Sequence, residues 1–137
     1  MTLRPLGIDP SHCFIGGRWM PSESGATLDL CNPSDGSTLC GIAKGNAADI
    51  DKAVVAAEHA LAGEWGRLAN FERGRILARI GQLVLEHVET LAELEALDVG
   101  KPLKQARADV LALARYMEFY AGAADKIHGT TIPYLDG

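Results

Sequence analysis

The chain has 137 residues, 47% hydrophobic and 23% charged, with 13 Lys+Arg against 18 Asp+Glu for a net charge of −5. That length builds one domain with a modest core, while the acidic balance offers no electrostatic footprint for nucleic acid or an anionic membrane surface. Apolar runs are broken by charge before they could span a bilayer, and Cys13, Cys31 and Cys40 show no CxxC spacing and leave one cysteine unpaired, which predicts no disulfide framework and a reducing, cytoplasmic setting.

Residues 1–12 carry two prolines and no periodicity, and read as a loose lead-in without the apolar stretch of a signal peptide. Phe14-Ile15 and Arg18-Trp19-Met20 flank Gly16-Gly17, a two-residue hairpin signal in which glycine supplies positive φ. A second hairpin is predicted from Ala26–Cys31 and Thr38–Ala43, joined by the turn formers of Asn-Pro-Ser-Asp-Gly-Ser at 32–37. The two hairpins together occupy 13–44.

From Asn46 the apolar period changes from two to helical. Asn46 is placed to cap a helix with Asp49 three positions on, and Ile50, Val54, Ala57 and Leu61 recur as one stripe that Gly63 ends. A second helix is predicted over about 70–88, burying Ile76, Leu77, Ile80, Leu83, Val84 and Val88, with Gly81 marking a close helix contact. Thr90-Leu91-Ala92-Glu93 has capping-box form and starts a third helix with Leu91, Leu94 and Leu97 inward. Gly100 sits where a left-handed C-cap is usual, and Pro102 suits the first turn of a fourth helix reaching about Lys126, with a bend near 107–109. Val110, Leu113, Ala114, Met117, Ala121 and Ala124 line one side of it, yet Leu111, Phe119 and Tyr120 make it apolar on another. Residues 127–137, with Ile132-Pro133, read as an extended exit. The fold class is therefore mainly α with two leading β-hairpins, which cannot form a parallel sheet alone.

Catalytic options are few. The three cysteines fall on or beside strands among apolar neighbours, where small buried hydrophobes are the expectation, and His12, His59, His87 and His128 have no zinc-ligand spacing. No glycine-rich phosphate loop opens a helix after a buried strand. Arg67, Arg73, Arg75 and Arg79 are interleaved or flanked by Glu64, Glu72 and Glu86, a mixed-charge solvated face.

Three blocks, FIGGRWMPSESGATLDLCNPSDGS, ELEALDVGKP and YAGAADKIHGTTIP, stand here in an order and spacing that resembles the amino-terminal part of the NAD(P)-dependent aldehyde dehydrogenase superfamily. The resemblance covers Phe14 to Pro133. It implies that residues 13–137 belong to a larger α/β fold with a Rossmann-like cofactor domain, and that the complete enzyme oxidises an aldehyde to a carboxylic acid with NAD or NADP, as a homo-oligomer. The family's thiol nucleophile with its preceding glycine-glutamine pair, its glutamate base, its oxyanion asparagine and its cofactor loop have no counterparts in these residues, so the resemblance also implies that the chain alone is inactive, binds no cofactor and pairs with the remainder of the fold. A non-catalytic module that associates with a full-length homologue is the alternative.

Two further expectations come from the resemblance. Leu30 and Cys31, before Asn32-Pro33, correspond to residues that give backbone carbonyls to a sodium or potassium ion, and Asp98 in LEALDVGK corresponds to its carboxylate ligand, oxygen donors being right for a hard cation. Asp98 can equally balance Lys101 or cap a backbone amide, the better reading for the isolated chain; in a complete enzyme both stand. Asp109, Ala112 and Tyr116 correspond to residues lining the aldehyde access tunnel, with ordinary core packing as the alternative.

Overall fold

A computed structural model describes residues 9–130. Two antiparallel hairpins lead, β1 (His12–Ile15) with β2 (Arg18–Pro21) and β3 (Thr27–Cys31) with β4 (Thr38–Ala43). Gly16 and Gly17 adopt φ of 60° and 76°, the pair of positive angles that a type I′ turn requires, and Ile15 faces Arg18 across it. In the second hairpin Leu30 faces Cys40 and Cys31 faces Thr38, so Leu39 is the extra residue of a bulge. Asn32 and Asp35 fold the connecting turn on themselves: Asn32 Oδ1 accepts the Ser34 N–H at 2.9 Å, and Asp35 Oδ1 accepts the Ser37 N–H at 2.9 Å and hydroxyl at 2.7 Å.

Five helices follow: α1 (Ala47–Ala62), the short α2 (Glu64–Arg67), α3 (Asn70–Glu86), α4 (Val88–Val99) and α5 (Leu103–Ala123). Asn46 and Asp49 form the expected capping box. Asn46 Oδ1 accepts the Ala48 N–H at 2.9 Å, and Asp49 Oδ2 accepts the Asn46 N–H at 2.9 Å. Asp49 Oδ1 also takes the Glu23 N–H at 2.9 Å, which fastens α1 to the segment leaving β2 and explains why a carboxylate is buried there.

Several boundaries differ from the sequence reading. β1 begins at His12, inside the expected lead-in, and residues 1–8 lie outside the described part. The break between α3 and α4 falls at His87, and Val88 opens α4 rather than closing α3. Thr90 therefore lies within α4 and caps nothing: a single residue off helical geometry, His87 at φ −116° and ψ 21°, separates the two helices without a side-chain cap. Pro102 is the residue before α5, not within its first turn. α5 itself is unbroken through 107–109 and stops at Ala123, before the expected Lys126. The exit is described only to residue 130; Ile132-Pro133 lies outside the described residues.

α5 packs on α3 and α4, and α1 on α2 and β1. The core is made of small side chains: Ala92, Ala106 and Val110 are buried, with Val84, Val88, Leu91 and Ala96 half-buried around them. α3 meets α5 through Gly74 and Gly81, two turns apart. A Cβ at Gly74 would stand 2.6 Å from the Ala121 carbonyl oxygen, and one at Gly81 3.2 Å from Met117 Cβ. The close contact expected at Gly81 is real, but the stripe expected beside it is not all inward. Ile76, Ile80 and Leu83 are exposed, because the glycine edge and not the isoleucine edge faces α5. The α1 stripe is likewise open, with Ile50, Val54 and Leu61 more than half exposed.

Candidate functional site

The corner between α4 and α5 gathers three of the ion pairs among the described residues. Gly100 ends α4 with φ 72° and ψ 16°, its N–H bonded to the Ala96 carbonyl at 3.0 Å, and a Cβ there would lie 2.8 Å from Pro33 Cγ. Glycine is needed twice over, for the left-handed backbone and for the space. That contact brings the turn after Leu30-Cys31, which end β3, against the turn after Asp98 in the last turn of α4.

Asp98 is exposed in the last turn of α4 and makes no hydrogen bond or ion pair among the described residues. A carboxylate at a helix C-terminus faces the negative end of the dipole. The lysine offered as its counter-charge is engaged elsewhere: Lys101 Nζ lies 2.5 Å from Glu95 Oε1 and 2.7 Å from Asp109 Oδ2. Those bonds, that to Asp109 first, raise the Lys101 pKa. Lys101 and then the amide of Gln105, 3.0 Å from Asp109 Oδ1, hold the Asp109 carboxyl below its usual range. Arg107 adds a second strap between the helices, donating to Glu89 from Nε at 2.8 Å and from Nη2 at 2.6 Å, a bidentate pair that lowers the Glu89 pKa.

The face of α5 turned away from α3 and α4 carries an open groove of about 610 Å³, lined chiefly by Leu111, Ala112, Arg115, Tyr116, Phe119 and Tyr120. Tyr116, Phe119 and Tyr120 are each more than half exposed, and the Phe119 and Tyr120 rings meet edge to face at 5.2 Å. Of the three candidate tunnel residues, Ala112 and Tyr116 line this groove. Asp109 does not; its carboxylate is bound to Lys101 and Gln105 at the helix junction. Core packing is not what these aromatic side chains do in the described residues.

Other apparent chemistry dissolves on inspection. Asp9, Ser11 and His12 lie together, but Asp9 Oδ2 and the Ser11 hydroxyl both approach the same imidazole nitrogen, Nδ1, at 3.0 and 3.1 Å. The Ser11 hydroxyl gives its proton to Asp9 at 2.6 Å, so no relay from serine through histidine to aspartate exists. The result is a local turn. Cys13 and Cys40 are half-buried and Cys31 is exposed; none contacts a base among the described residues. Arg73 Nη2 donates to the Trp65 and Gly66 carbonyls at 3.2 and 3.1 Å while its guanidinium lies over the Trp65 ring, and Arg75 lies over Phe71. Arg73 and Arg75 of α3 thus hold a helix end and rings, and Arg79 pairs with Glu86 at 3.1 Å along the same helix. The arrangement missed by sequence reading is the Glu95–Lys101–Asp109 bridge; the six- and eight-residue separations cross a helix break, where no single periodicity relates them.

The hairpins, the Pro33–Gly100 corner and the α3–α5 glycine packing define one segment of a larger family fold. Residues 19–137 match the aldehyde dehydrogenase family, and the chain belongs to that family as an amino-terminal segment of its fold. Mouse retinal dehydrogenase 2 is 43% identical over 135 residues, covering 96% of this chain and 26% of the relative. A Burkholderia cenocepacia protein assigned as an aldehyde dehydrogenase is 54% identical, with a TM-score of 0.85 over 89% of this chain and 26% of that one. PnpE, solved in complex with nicotinamide adenine dinucleotide, is 38% identical with a TM-score of 0.85 over 94% of this chain and 26% of its own. The chain thus spans about a quarter of the length of these relatives.

Proposed function

We propose that these residues serve as the opening part of an enzyme that oxidises an aldehyde to a carboxylic acid with NAD or NADP. The observation that carries this reading is the match running from Trp19 in β2 through the second hairpin and every helix. NAD is the first expectation, since PnpE is solved with that dinucleotide. A homo-oligomer working in the cytoplasm is the accompanying expectation; no helix among the described residues is long and apolar enough to cross a membrane. A free-standing accessory module is not favoured.

Within that enzyme the segment contributes framework and two lesser roles, not the chemical steps. Thiolate attack, hydride transfer to the nicotinamide and thioester hydrolysis need a nucleophile with a base, a cofactor cradle and oxyanion donors, and no such set is assembled among the described residues. Asp98 is the residue best suited to a monovalent cation, with the Leu30 and Cys31 carbonyls. Its carboxylate has no partner among the described residues and stands at the unfavourable end of α4, the kind of local cost that function tends to retain. Ala112 and Tyr116 fit one wall of an aldehyde channel; Asp109 fits instead as the brace of the helix junction.

The test is a graft. Residues 1–137 replace the matching segment of an aldehyde dehydrogenase relative, and aldehyde-dependent NAD reduction is followed. The graft should be active and the 137 residues alone silent. A folded, oligomeric graft without activity overturns the assignment, as does turnover or stoichiometric NAD binding by the 137 residues alone.

A further inference from the structure

Lys101 follows the Gly100 cap directly and has three carboxylates to choose from, Glu95 and Asp98 on α4 and Asp109 on α5. Glu95 and Asp98 are three residues apart, neighbours on one helix surface, so a lysine long enough to meet the first can meet the second. It meets only the first: Nζ lies 2.5 Å from Glu95 Oε1 and 2.7 Å from Asp109 Oδ2, and no ion pair with Asp98 forms among the described residues. Asp109 decides the choice. Its carboxylate draws the ammonium across the junction to α5, where the Gln105 amide, 3.0 Å from Oδ1, holds that carboxylate in place. Lys101 and Glu95 are half-buried, whereas Asp98 is exposed. An ammonium with two charge-assisted bonds in a half-buried position gains little from a third, solvated acid.

We propose that the Glu95–Lys101–Asp109 bridge keeps Asp98 free for a monovalent cation, with Glu95 and Asp109 as positioning residues. Without the bridge, ammonium and ion compete for one carboxylate, and the ion approaching it also meets the repulsion of a like charge, which weakens with distance. The bridge reduces both obstacles by giving the lysine two other partners. The inference rests on the reading of Asp98, with the Leu30 and Cys31 carbonyls, as the cation ligands.

The probe is sodium, exchanged for choline at constant ionic strength in the grafted enzyme, where the corner belongs to a complete fold. Binding is read as the rise of the melting temperature with sodium, independently of turnover; the melting transition itself reports that each variant is folded. Asp98→Asn should abolish the rise. Either acid alone still holds the ammonium, so Glu95→Gln and Asp109→Asn should each raise the sodium dissociation constant less than about twofold. Together they should raise it at least about tenfold, more than the two single losses multiplied. Adding Lys101→Gln to that pair should recover most of the affinity, which a role confined to holding α4 against α5 would not allow. Losses that merely multiply, or a pair that Lys101→Gln does not rescue, overturn the inference while the cation site stands. A melting temperature indifferent to sodium, or a rise that survives Asp98→Asn, overturns the cation reading and the inference together.

Discussion

At the residue scale, two glycines of α3 that look alike in sequence are predicted to behave differently. Alanine gains about 1 kcal/mol of helix propensity over glycine. At Gly81 the added methyl would meet Met117 Cβ at 3.2 Å and the Ala114 carbonyl oxygen at 3.3 Å, so a slight shift of α5 is enough and Gly81→Ala should be close to neutral. At Gly74 it would meet the Ala121 carbonyl oxygen at 2.6 Å, backbone that cannot rotate away. Gly74→Ala should therefore destabilise by about 1–3 kcal/mol; urea midpoints of the two variants decide, and equal midpoints would refute the packing described. Asn46 is a simpler case. Its side chain caps α1 through the Ala48 N–H, and Asn46→Ala should cost about 1 kcal/mol. Asp98 should show the opposite sign. In the isolated segment Asp98→Asn relieves an unpaired charge at a helix C-terminus and should raise the melting temperature slightly at low salt. In the grafted enzyme it should weaken the dependence of activity on sodium or potassium over choline; an unchanged ion response would remove Asp98 from the cation site.

At the scale of elements, what was legible in the sequence is what short-range backbone chemistry dictates. Gly16-Gly17, the Asn46–Asp49 box and Gly100 are each specified within a few residues, and each is found where expected. Orientation was harder. Ile76, Ile80 and Leu83 have the period of a buried stripe, but α5 prefers the glycine edge because it allows a nearer approach than branched side chains do. The α3–α4 break was misplaced because His87 separates the helices by its backbone alone, leaving Thr90-x-x-Glu93 as a decoy. The site followed the same division. Asp98 is exposed at the end of α4 and Ala112 and Tyr116 line the outward face of α5, whereas the partner of Asp109 depends on how α4 and α5 meet. Three carboxylates hold elements together, and their pKa values are all depressed: Asp49 chiefly by the Asn46 N–H, Glu89 by Arg107 and Asp109 by Lys101. A depressed carboxyl stabilises the fold above its unfolded value, 3.8 for Asp and 4.5 for Glu, and that stability is lost as pH falls through the lower folded values. Melting temperature should thus be flat above about pH 5 and fall steadily below about pH 4. A melting temperature constant to acid pH would mean that these bonds do not hold the folded state together.

At the scale of the whole molecule, the described residues bury little and expose much. The buried apolar residues are Ala92, Ala106, Val110 and Ala114, and no large side chain is fully buried. Phe119 and Leu61 are each 67% exposed, on different helices, and Tyr116 and Ile50 62%. Alanine brings little transfer free energy because it has little surface to hide, at about 25 cal/mol per Å²; the larger apolar side chains, which could supply more, face outward on α1, α3 and α5. Such faces are matched in a larger assembly or they find each other. The 137 residues alone should accordingly unfold with a shallow transition, bind a hydrophobic dye in the folded state, and self-associate with rising concentration. Sedimentation velocity across a hundredfold concentration range, paired with urea melts at each end, tests this directly. Association with a concentration-dependent midpoint is expected, and the grafted protein should lose both the dye binding and the concentration dependence of its melt, because the same faces are then covered. A monomer with a steep, concentration-independent transition would mean that the small α3–α4–α5 core suffices, and the apolar faces of α1 and α5 would then be surfaces the fold tolerates without a partner.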